Sequence, residues 1–270
     1  MKPYLRLSTV VTLVCFLATG TVGAPRHSDP AAFTKPEHRE IVIRERHGNQ
    51  VTSSNWSGYA ITGAKESVTD ATGSWIVPSV NCGSTPNAYS AMWVGIDGYS
   101  SSTVEQIGTE SDCVNGAADN YAWFEFYPHN YYTIESAPIK PGDVISAEVK
   151  YSGGKFIVSL NVNDGTPFTT STKLNQAQRS SAEWIVEAPY SGGVLPLADF
   201  NTTSFGVDYT NIAGTNNAVV AGASGPVGSF NPSDVFTITM TGDNGAIKAL
   251  PSALSTDKTS FSDTWYSPGP

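Results

Sequence analysis

The chain has 270 residues, a net charge of −9 at neutral pH, 40% hydrophobic residues, 25 Gly and 17 Pro. This apolar content supports one sizeable hydrophobic core, although length alone does not separate one large all-β domain from two small ones. Beyond position 50 the chain holds 8 basic and 20 acidic residues, a net charge of about −12, which argues against nucleic acid and anionic membranes as partners.

The first residues predict a secretory signal. Lys2 and Arg6 precede an apolar stretch over residues 10–18, and small residues follow up to Ala24. An apolar core of roughly ten residues is too short to span a bilayer, and a buried N-terminal strand is the alternative interpretation. We therefore expect residues 1–24 to be removed from a protein that is secreted and has no membrane anchor.

Residues 25–50 are predicted to form a removable pro-segment, because they are polar, carry both charges and contain several prolines. Within this segment, residues 37–46 fit a short helix or strand. We expect its cationic side chains to cover an acidic cleft at neutral pH, so that the segment acts as an intramolecular inhibitor. In acid the carboxylates lose charge and the segment is released for cleavage; a passive spacer is the alternative. The cationic side chains are Arg26, His27, Lys35, His38, Arg39, Arg44, Arg46 and His47.

Residues 51–270 are expected to form one all-β domain. The clearest meander runs over residues 143–151, turns at 153–154, continues over 155–162 and turns again at 163–165. The Gly, Asn and Asp residues at these turns adopt positive φ at little cost, as tight hairpins require. Many short strands, with no convincing amphipathic helix and no internal repeat, favour a single β-sandwich.

Cysteine usage agrees with secretion. Cys15 leaves with the signal, so Cys82 and Cys113 remain as an even pair in an oxidising compartment. We predict that they form one structural disulfide. No group of Cys and His residues has the spacing of metal ligands, so neither a metal nor another cofactor is expected.

Alternation of side chains along the predicted strands separates two faces. In one strand Trp123, Glu125 and Tyr127 share a face, and the opposite face is plain apolar core. Two further strands, residues 92–97 and 182–187, repeat this pairing of an apolar face with one that mixes aromatic and acidic side chains. Their mixed faces carry Trp93, Asp97, Glu183, Ile185 and Glu187.

The mixed face has two interpretations. It is either a solvated outer face, or a concave surface on which aromatic side chains contact a substrate and carboxylates do chemistry. Paired carboxylates beside aromatic platforms suit a glycosidase, whereas a carboxylate beside an amide donor suits acid hydrolysis of peptides. Motifs of serine hydrolases, zinc peptidases and pepsin-like enzymes are missing, and the one histidine beyond the pro-segment, His129, follows a proline in a predicted loop.

Five short motifs, in order along the chain, resemble the glutamic peptidases, also called eqolisins. The resemblance covers about residues 53–205, including the run 195–200, and is weak toward the C-terminus. Each motif alone is weak, but the set in this order is specific. The motifs are Ser54-Asn55-Trp56-Ser57-Gly58-Tyr59, Trp93-Val94-Gly95-Ile96-Asp97-Gly98, Gln106-Ile107-Gly108, Trp123-Phe124-Glu125-Phe126-Tyr127-Pro128 and Ala182-Glu183-Trp184-Ile185-Val186-Glu187.

The resemblance implies a concanavalin-A-like, or lectin-like, sandwich of two antiparallel sheets with a catalytic dyad on the concave one. By motif the dyad is Gln106 and Glu187. Glu187 would act as general base toward water and then as acid toward the leaving amine, while Gln106 orients the water and donates to the oxyanion. We expect polypeptide substrates and a monomer. The motifs assign substrate contact or support to Trp56, Trp93, Asp97, Trp123, Glu125 and Tyr127.

The implied chemistry suits acid. A glutamate in water titrates at about 4.3, so a glutamate base remains ionised in mild acid where a histidine base is protonated. The few basic residues beyond position 50 also keep positive self-repulsion small in acid. One departure from the family pattern is Glu105 beside Gln106, where an apolar residue is usual; alternation predicts that it points away from Gln106.

Two other hypotheses remain open from the residues alone. A carbohydrate-binding sandwich without catalysis explains the aromatic and acidic side chains but gives Gln106 no role. A glycosidase on the same architecture explains paired carboxylates, but its typical run of Glu-x-Asp-x-x-Glu is absent from the sequence.

Overall fold

The computed structural model describes residues 36–269. The predicted signal and the first part of the predicted pro-segment lie outside the described residues. Among the described residues nearly all regular structure is β-strand, as predicted, and no helix is long and apolar enough to cross a membrane. The helical elements are α1, Val207–Thr210, and two short 3-10 turns, Val227–Ser229 and Pro232–Asp234.

The strands are short, and most are punctuated by Gly, Asn, Asp or Pro. In chain order they are β1 Ile43–His47, β2 Gln50–Ser53, β3 Trp56–Thr62, β4 Val68–Ile76, β5 Ala91–Ile96, β6 Val104–Val114, β7 Ala117–Tyr127, β8 Tyr132–Thr133, β9 Val144–Ser152, β10 Lys155–Val162, β11 Phe168–Thr172, β12 Ser181–Glu187, β13 Thr202–Phe205, β14 Asn217–Val220, β15 Ala223–Pro226, β16 Val235–Thr241, β17 Ile247–Pro251 and β18 Phe261–Trp265.

The strands form two packed layers. The site layer has the lateral order β1-β2-β16-β3-β12-β5-β6-β7-β8, and its pairings are antiparallel except for the parallel pair β2 and β16. The outer layer runs β11-β10-β9-β4 and continues from β4 to β14-β15 and to β13-β18-β17. Pairing of β17 with β16 joins the two layers at one edge. The predicted β-sandwich is therefore correct.

The main core lies between the layers. Val94 on β5, Ile107 on β6 and Trp184 on β12 point toward the outer layer and share one buried cluster with Trp75 and Val149 on β4 and β9. Alternation places these residues on the face opposite the mixed one, as expected from the sequence. Burying each large side chain contributes roughly 1.5–3 kcal/mol, which fixes the register of the central strands of the site layer.

The predicted meander is confirmed. Strands β9 and β10 form a hairpin in which Ser152 pairs with Lys155 across Gly153 and Gly154, and both glycines have positive φ. Strand β11 then pairs with β10. Because only a few residue types adopt positive φ without strain, the turn sequences determined these hairpins locally.

The disulfide joins Cys82 to Cys113, with 5.3 Å between their Cα atoms. It ties the loop after β4 to the last residues of β6, where Ala88 also bridges Cys113 through backbone hydrogen bonds. The bond therefore fixes the end of β6, the strand that carries Gln106.

The buried carboxyl group of Asp263 makes the stability of the folded protein depend on pH. Asp263 on β18 is fully buried and accepts a hydrogen bond from Ser57 Oγ at 2.7 Å. Burial raises the pKa of Asp263 from an ordinary 3.8 to about 7. Because the folded-state pKa lies above the unfolded value, stability is present in full below about pH 4 and is lost as the pH rises through about 7.

We expect the free energy of unfolding to fall as the pH rises from about 4 to about 8. The substitution Asp263→Asn keeps the shape of the neutral acid and should reduce that fall by up to about 4 kcal/mol. Denaturant unfolding of both proteins across this range measures the difference. An unchanged pH slope in the variant would show that Asp263 stays ionised in the folded state.

Candidate active site

The mixed face of the site layer has an aromatic floor. Trp56 on β3 and Trp93 on β5 are fully buried and meet edge to face, with 4.8 Å between ring centroids. Trp123 on β7 and Ile185 on β12 belong to the same buried cluster. Along each strand these side chains alternate with residues of the main core. The site layer therefore has one buried cluster on each of its two faces.

Two glycines leave room for this floor. A Cβ atom at Gly108 would lie 2.5 Å from Trp93 Cβ and 3.1 Å from Trp123 Cζ2. A Cβ atom at Gly95 would lie 2.8 Å from Trp93 Cζ3. Any other residue at these positions would displace the indole rings, so the glycines of the two motifs have a packing role.

Glu187 lies at the end of β12 with its carboxylate buried on the floor. Its Oε2 accepts a hydrogen bond from Trp93 Nε1 at 2.9 Å and lies 3.2 Å from His38 Nδ1. Its Oε1 accepts a hydrogen bond from the backbone N–H of Arg39 at 3.1 Å. The carboxylate is therefore fixed by an indole donor on one side and in contact with a peptide N–H on the other.

Gln106 lies on β6 directly opposite Glu125 on β7. Its Nε2 donates to Glu125 Oε2 at 2.9 Å, while its buried Oε1 has no hydrogen-bond partner among the described residues. Burial, and next the charge of Glu187, raise the pKa of Glu125 well above its ordinary value. Glu125 thus fixes the amide of Gln106 and lies within electrostatic reach of Glu187.

The sheet register places these groups around β5. Across β5, Glu187 lies opposite Ala91 and Glu110, whereas Gln106 lies opposite Gly95 and Glu183. In the described part of the chain no direct hydrogen bond joins Gln106 to Glu187. Gln106 and Glu187 therefore lie on the two strands that flank β5, four positions apart along it, with Trp93 between them.

Two further buried glutamates lie near the site. Glu183 is fully buried on the mixed face, and burial raises its pKa well above the ordinary value. Glu105 points to the opposite face, as predicted, because it shares its parity along β6 with Ile107 of the main core. Burial, and next the charge of Asp97, raise the pKa of Glu105 well above its ordinary value.

Asp97 and Tyr127 occupy different places from the other predicted residues. Asp97 follows β5 and accepts hydrogen bonds from the backbone N–H groups of Arg179 and Ser180 at 2.7 and 2.9 Å. It therefore fixes the chain just before β12 and supports the site from one end. Tyr127 is partly buried at the end of β7 and packs against the aromatic floor from its rim.

Residues 36–42 cross the floor in extended form. Glu37 and Tyr190 exchange two backbone hydrogen bonds of 2.8 Å at one end, and Ile41 N–H donates to the Gly98 carbonyl at 3.2 Å at the other. Between them, Trp56 Nε1 donates to the Arg39 carbonyl at 3.0 Å. The backbone of this segment is thus held by Trp56 on β3 and by residues that follow β12 and β5.

Asn55 holds the second half of the segment. Its Nδ2 donates to the Glu40 carbonyl at 3.1 Å, and its Oδ1 accepts from Val42 N–H at 2.8 Å. The Arg39 guanidinium lies over the Tyr190 ring, 3.9 Å from its centroid. Asn55 is therefore part of the surface that binds an extended chain.

His38 enters the floor itself. Its side chain is fully buried and stacks on Trp123, with 3.7 Å between ring centroids and 4° between planes. Its Nε2 lies 3.2 Å from Glu110 Oε1, so the ring lies between the Glu110 and Glu187 carboxylates. Tyr131 meets the same ring edge-on.

Sequence reasoning missed Glu110 and the contact made by His38. Glu110 could have been found, because it lies four residues after Gln106 and so points to the same face of β6. His38 was one of several cations in the predicted pro-segment, and nothing local distinguishes it. In residues 36–269 no group of three or more His, Cys, Asp or Glu side chains is arranged to hold a metal ion.

Comparisons with known proteins identify similar sequences over most of the chain. The model of the Peptidase A4 family matches residues 54–249. Aspergillopepsin-2 from Aspergillus niger is 28% identical over 261 residues, which cover 82% of this chain and 90% of that protein.

Solved structures show the same fold. Scytalido-glutamic peptidase bound to a transition-state analogue inhibitor matches with a TM-score of 0.63 and 23% identity, over 79% of this chain and 98% of that one. Aspergilloglutamic peptidase from Aspergillus niger matches with a TM-score of 0.54 and 24% identity, over 66% and 99%. SCP-B, an eqolisin in complex with the tripeptide Ala-Ile-His, matches with a TM-score of 0.57 and 23% identity, over 79% and 98%.

Proposed function

The chain belongs to the Peptidase A4 family, the glutamic peptidases, and we propose that it is a secreted acid endopeptidase whose dyad is Gln106 and Glu187. The observation that carries this proposal is the contact of Glu187 Oε1 with a peptide N–H, that of Arg39, on an aromatic floor. A buried carboxylate that meets an extended chain at its backbone is placed to act on a peptide bond.

In the proposed mechanism Glu187 takes a proton from the attacking water and returns it to the leaving amine. Trp93 holds one oxygen of its carboxylate, and the other contacts the N–H of Arg39, which stands in for the backbone of a substrate. The buried Oε1 of Gln106 is available to accept a hydrogen bond from water, and its Nε2 is a donor for the developing oxyanion. No step in this scheme uses a metal ion or cofactor.

We propose activity in acid because the domain has an excess of acidic residues and several buried carboxyl groups with raised pKa values. The domain beyond position 50 has a net charge of about −12, and its buried carboxyls Asp112, Glu105, Glu183 and Asp263 have raised pKa values, chiefly because of burial. Such a domain loses repulsion between carboxylates as the pH falls, and it gains stability there. Both effects favour an enzyme that works in acid.

The pro-segment is proposed to be an intramolecular inhibitor. In support of this proposal, His38 and Arg39 of its described part, residues 36–50, contact Glu187. Backbone hydrogen bonds to Tyr190 and Gly98 hold it across the floor, where we propose that a substrate peptide binds. Protonation of carboxylates across the acidic domain weakens its attraction to the cations of the segment as the pH falls.

We expect conversion of the precursor to be fast in acid and slow near neutrality. Incubating the full-length protein across about pH 3 to 7, a range that brackets Glu and His titration, and following its mass measures this. The same segment, added as a synthetic peptide, should inhibit the processed protein near neutrality. Equal conversion rates throughout the range, or a peptide without effect, would leave the segment as a passive spacer.

The proposed activity itself is tested by comparing two substrate classes. Digestion of casein or haemoglobin at about pH 4 should proceed in a chelator, serine-directed reagents, thiol reagents and pepstatin, because no group that these reagents attack takes part. The same preparation should neither bind nor hydrolyse glucans. Glucan binding without proteolysis would instead support a carbohydrate-binding sandwich, and activity lost to a chelator and restored by zinc would contradict the metal-free mechanism.

A further inference from the structure

The pocket that holds the His38 ring is a candidate specificity site. We infer that Glu110 and Trp123 form a subsite that selects a cationic side chain on the substrate residue just before the cleaved bond. This inference rests on the proposed endopeptidase function and deepens it by naming the side chain that the site prefers. Neither the motifs nor the dyad requires Glu110.

The backbone around His38 locates the pocket relative to the chemistry. The N–H of Arg39 donates to Glu187 Oε1 at 3.1 Å, and Nδ1 of the His38 ring lies 3.2 Å from the other oxygen of the same carboxylate. The peptide bond between His38 and Arg39 therefore lies beside the proposed base. The side chain that enters the pocket belongs to the residue on the N-terminal side of that bond.

The walls of the pocket favour a flat or extended cation. The indole face of Trp123 lies 3.7 Å from the imidazole, a distance at which a cation is attracted by the ring quadrupole. At the far end Glu110 Oε1 lies 3.2 Å from Nε2 of the ring. Both contacts are available to a histidinium, and the second is within reach of a lysine ammonium.

The charges that face the pocket are acidic. Glu110 and Glu187 meet the ring directly. Asp112 lies behind them on β6, where its Oδ2 accepts a hydrogen bond from the Tyr121 hydroxyl at 3.2 Å. Burial, and next the Glu110 charge, raise the pKa of Tyr131, which borders the ring. An apolar side chain would bury these carboxylates without the contacts that the imidazole makes with Glu110 and Glu187, which is costly in a buried site.

The first test uses peptides that differ at one residue. Two matched pairs, Lys against Met and His against Phe, separate charge from length and from ring stacking. With the acid-processed protein at about pH 5, we expect kcat/KM for the cationic member to exceed that of its neutral match by about 10- to 100-fold. Mass spectrometry should place the cleaved bond directly after the cationic residue.

The substitution Glu110→Gln tests whether the preference for a cationic side chain depends on the Glu110 carboxylate. It should lower the ratio of Lys to Met peptides to within about threefold, whatever the absolute rate, because the amide keeps the shape but not the charge. A ratio that is unchanged in the variant, or a wild-type protein that cleaves both members equally, overturns the inference while the peptidase function stands. A protein that cleaves none of the peptides contradicts the proposed function instead.

A second measurement does not depend on peptidase activity. In the full-length protein His38→Lys puts a cation in the pocket, and His38→Phe keeps a stacked ring without a charge. Near neutrality an added glutamate-specific endopeptidase, for which neither change creates a site, should cut residues 36–47 about tenfold faster in the Phe variant. In the Glu110→Gln background this difference should disappear. Equal protection of the Lys and Phe variants would show that the pocket selects a shape and not a charge.

Discussion

Replacing Glu187 by Gln should reduce peptide hydrolysis in acid to background, a loss of about 10⁴-fold or more in kcat/KM. A positioned acid or base contributes about 10²–10⁴-fold, and Glu187 is assigned both roles in one turnover. An amide has nearly the same size but cannot take a proton from water in this range. Hydrolysis of a quenched fluorescent peptide by the acid-treated proteins measures the loss.

The same variant should fold normally. Trp93 Nε1 can donate to an amide oxygen as it does to the carboxylate, and the main core lies on the other face of β12. We therefore expect a circular dichroism spectrum like that of the wild type and a similar melting temperature. A folded Glu187→Gln protein with near wild-type turnover would show that another group is the base.

The substitution Gln106→Ala should lower kcat by about 10²–10³-fold, the effect of removing one oxyanion donor. The loss should fall on kcat more than on KM, because the amide is assigned to water and to the oxyanion and not to substrate binding. Steady-state kinetics on the same peptide separates the two parameters. A variant whose KM alone rises would place Gln106 in binding.

The substitution Gln106→Glu keeps the size of the side chain but replaces the amide with a carboxyl group, and so tests whether the amide itself is required. In the wild-type protein Gln106 Nε2 donates to Glu125 Oε2 at 2.9 Å. A carboxyl group at position 106 would therefore face the Glu125 carboxyl, and two carboxyl groups so close cannot both ionise. We expect a loss comparable with that of Gln106→Ala. Activity well above that of the Ala variant would show that the site does not require an amide donor.

Much of the site follows from local rules. Alternation along β5, β7 and β12 places Trp93, Glu125 and Glu187 on one face, because a strand fixes the direction of each side chain. The hairpins around β10 follow from turn residues that adopt positive φ. What alternation does not give is the lateral order of strands, and so the position of Glu110 opposite Glu187 depends on pairings with β5 that are distant in sequence.

The contact of His38 with Glu187 likewise depends on residues that are distant in sequence. It joins residues 149 positions apart, and the sequence around His38 carries no signal for it. Similarly, the motif that contains Asp97 suggests a place in the cleft, whereas the residue accepts hydrogen bonds from the backbone before β12. Family resemblance identifies such a residue without saying whether it contacts substrate or supports a strand.

The most direct test of the central claim compares Glu187→Gln with Glu183→Gln. Both glutamates lie on the mixed face of β12, and Glu183 is the one opposite Gln106 across β5. Because burial raises the pKa of Glu183 well above its ordinary value, it is neutral in mild acid, and an amide replaces it with little change. In casein digestion at about pH 4, the Glu183→Gln protein should release peptides at a rate near that of the wild type, while the Glu187→Gln protein should release none. A dead Glu183→Gln protein beside an active Glu187→Gln protein would contradict the assignment of the base.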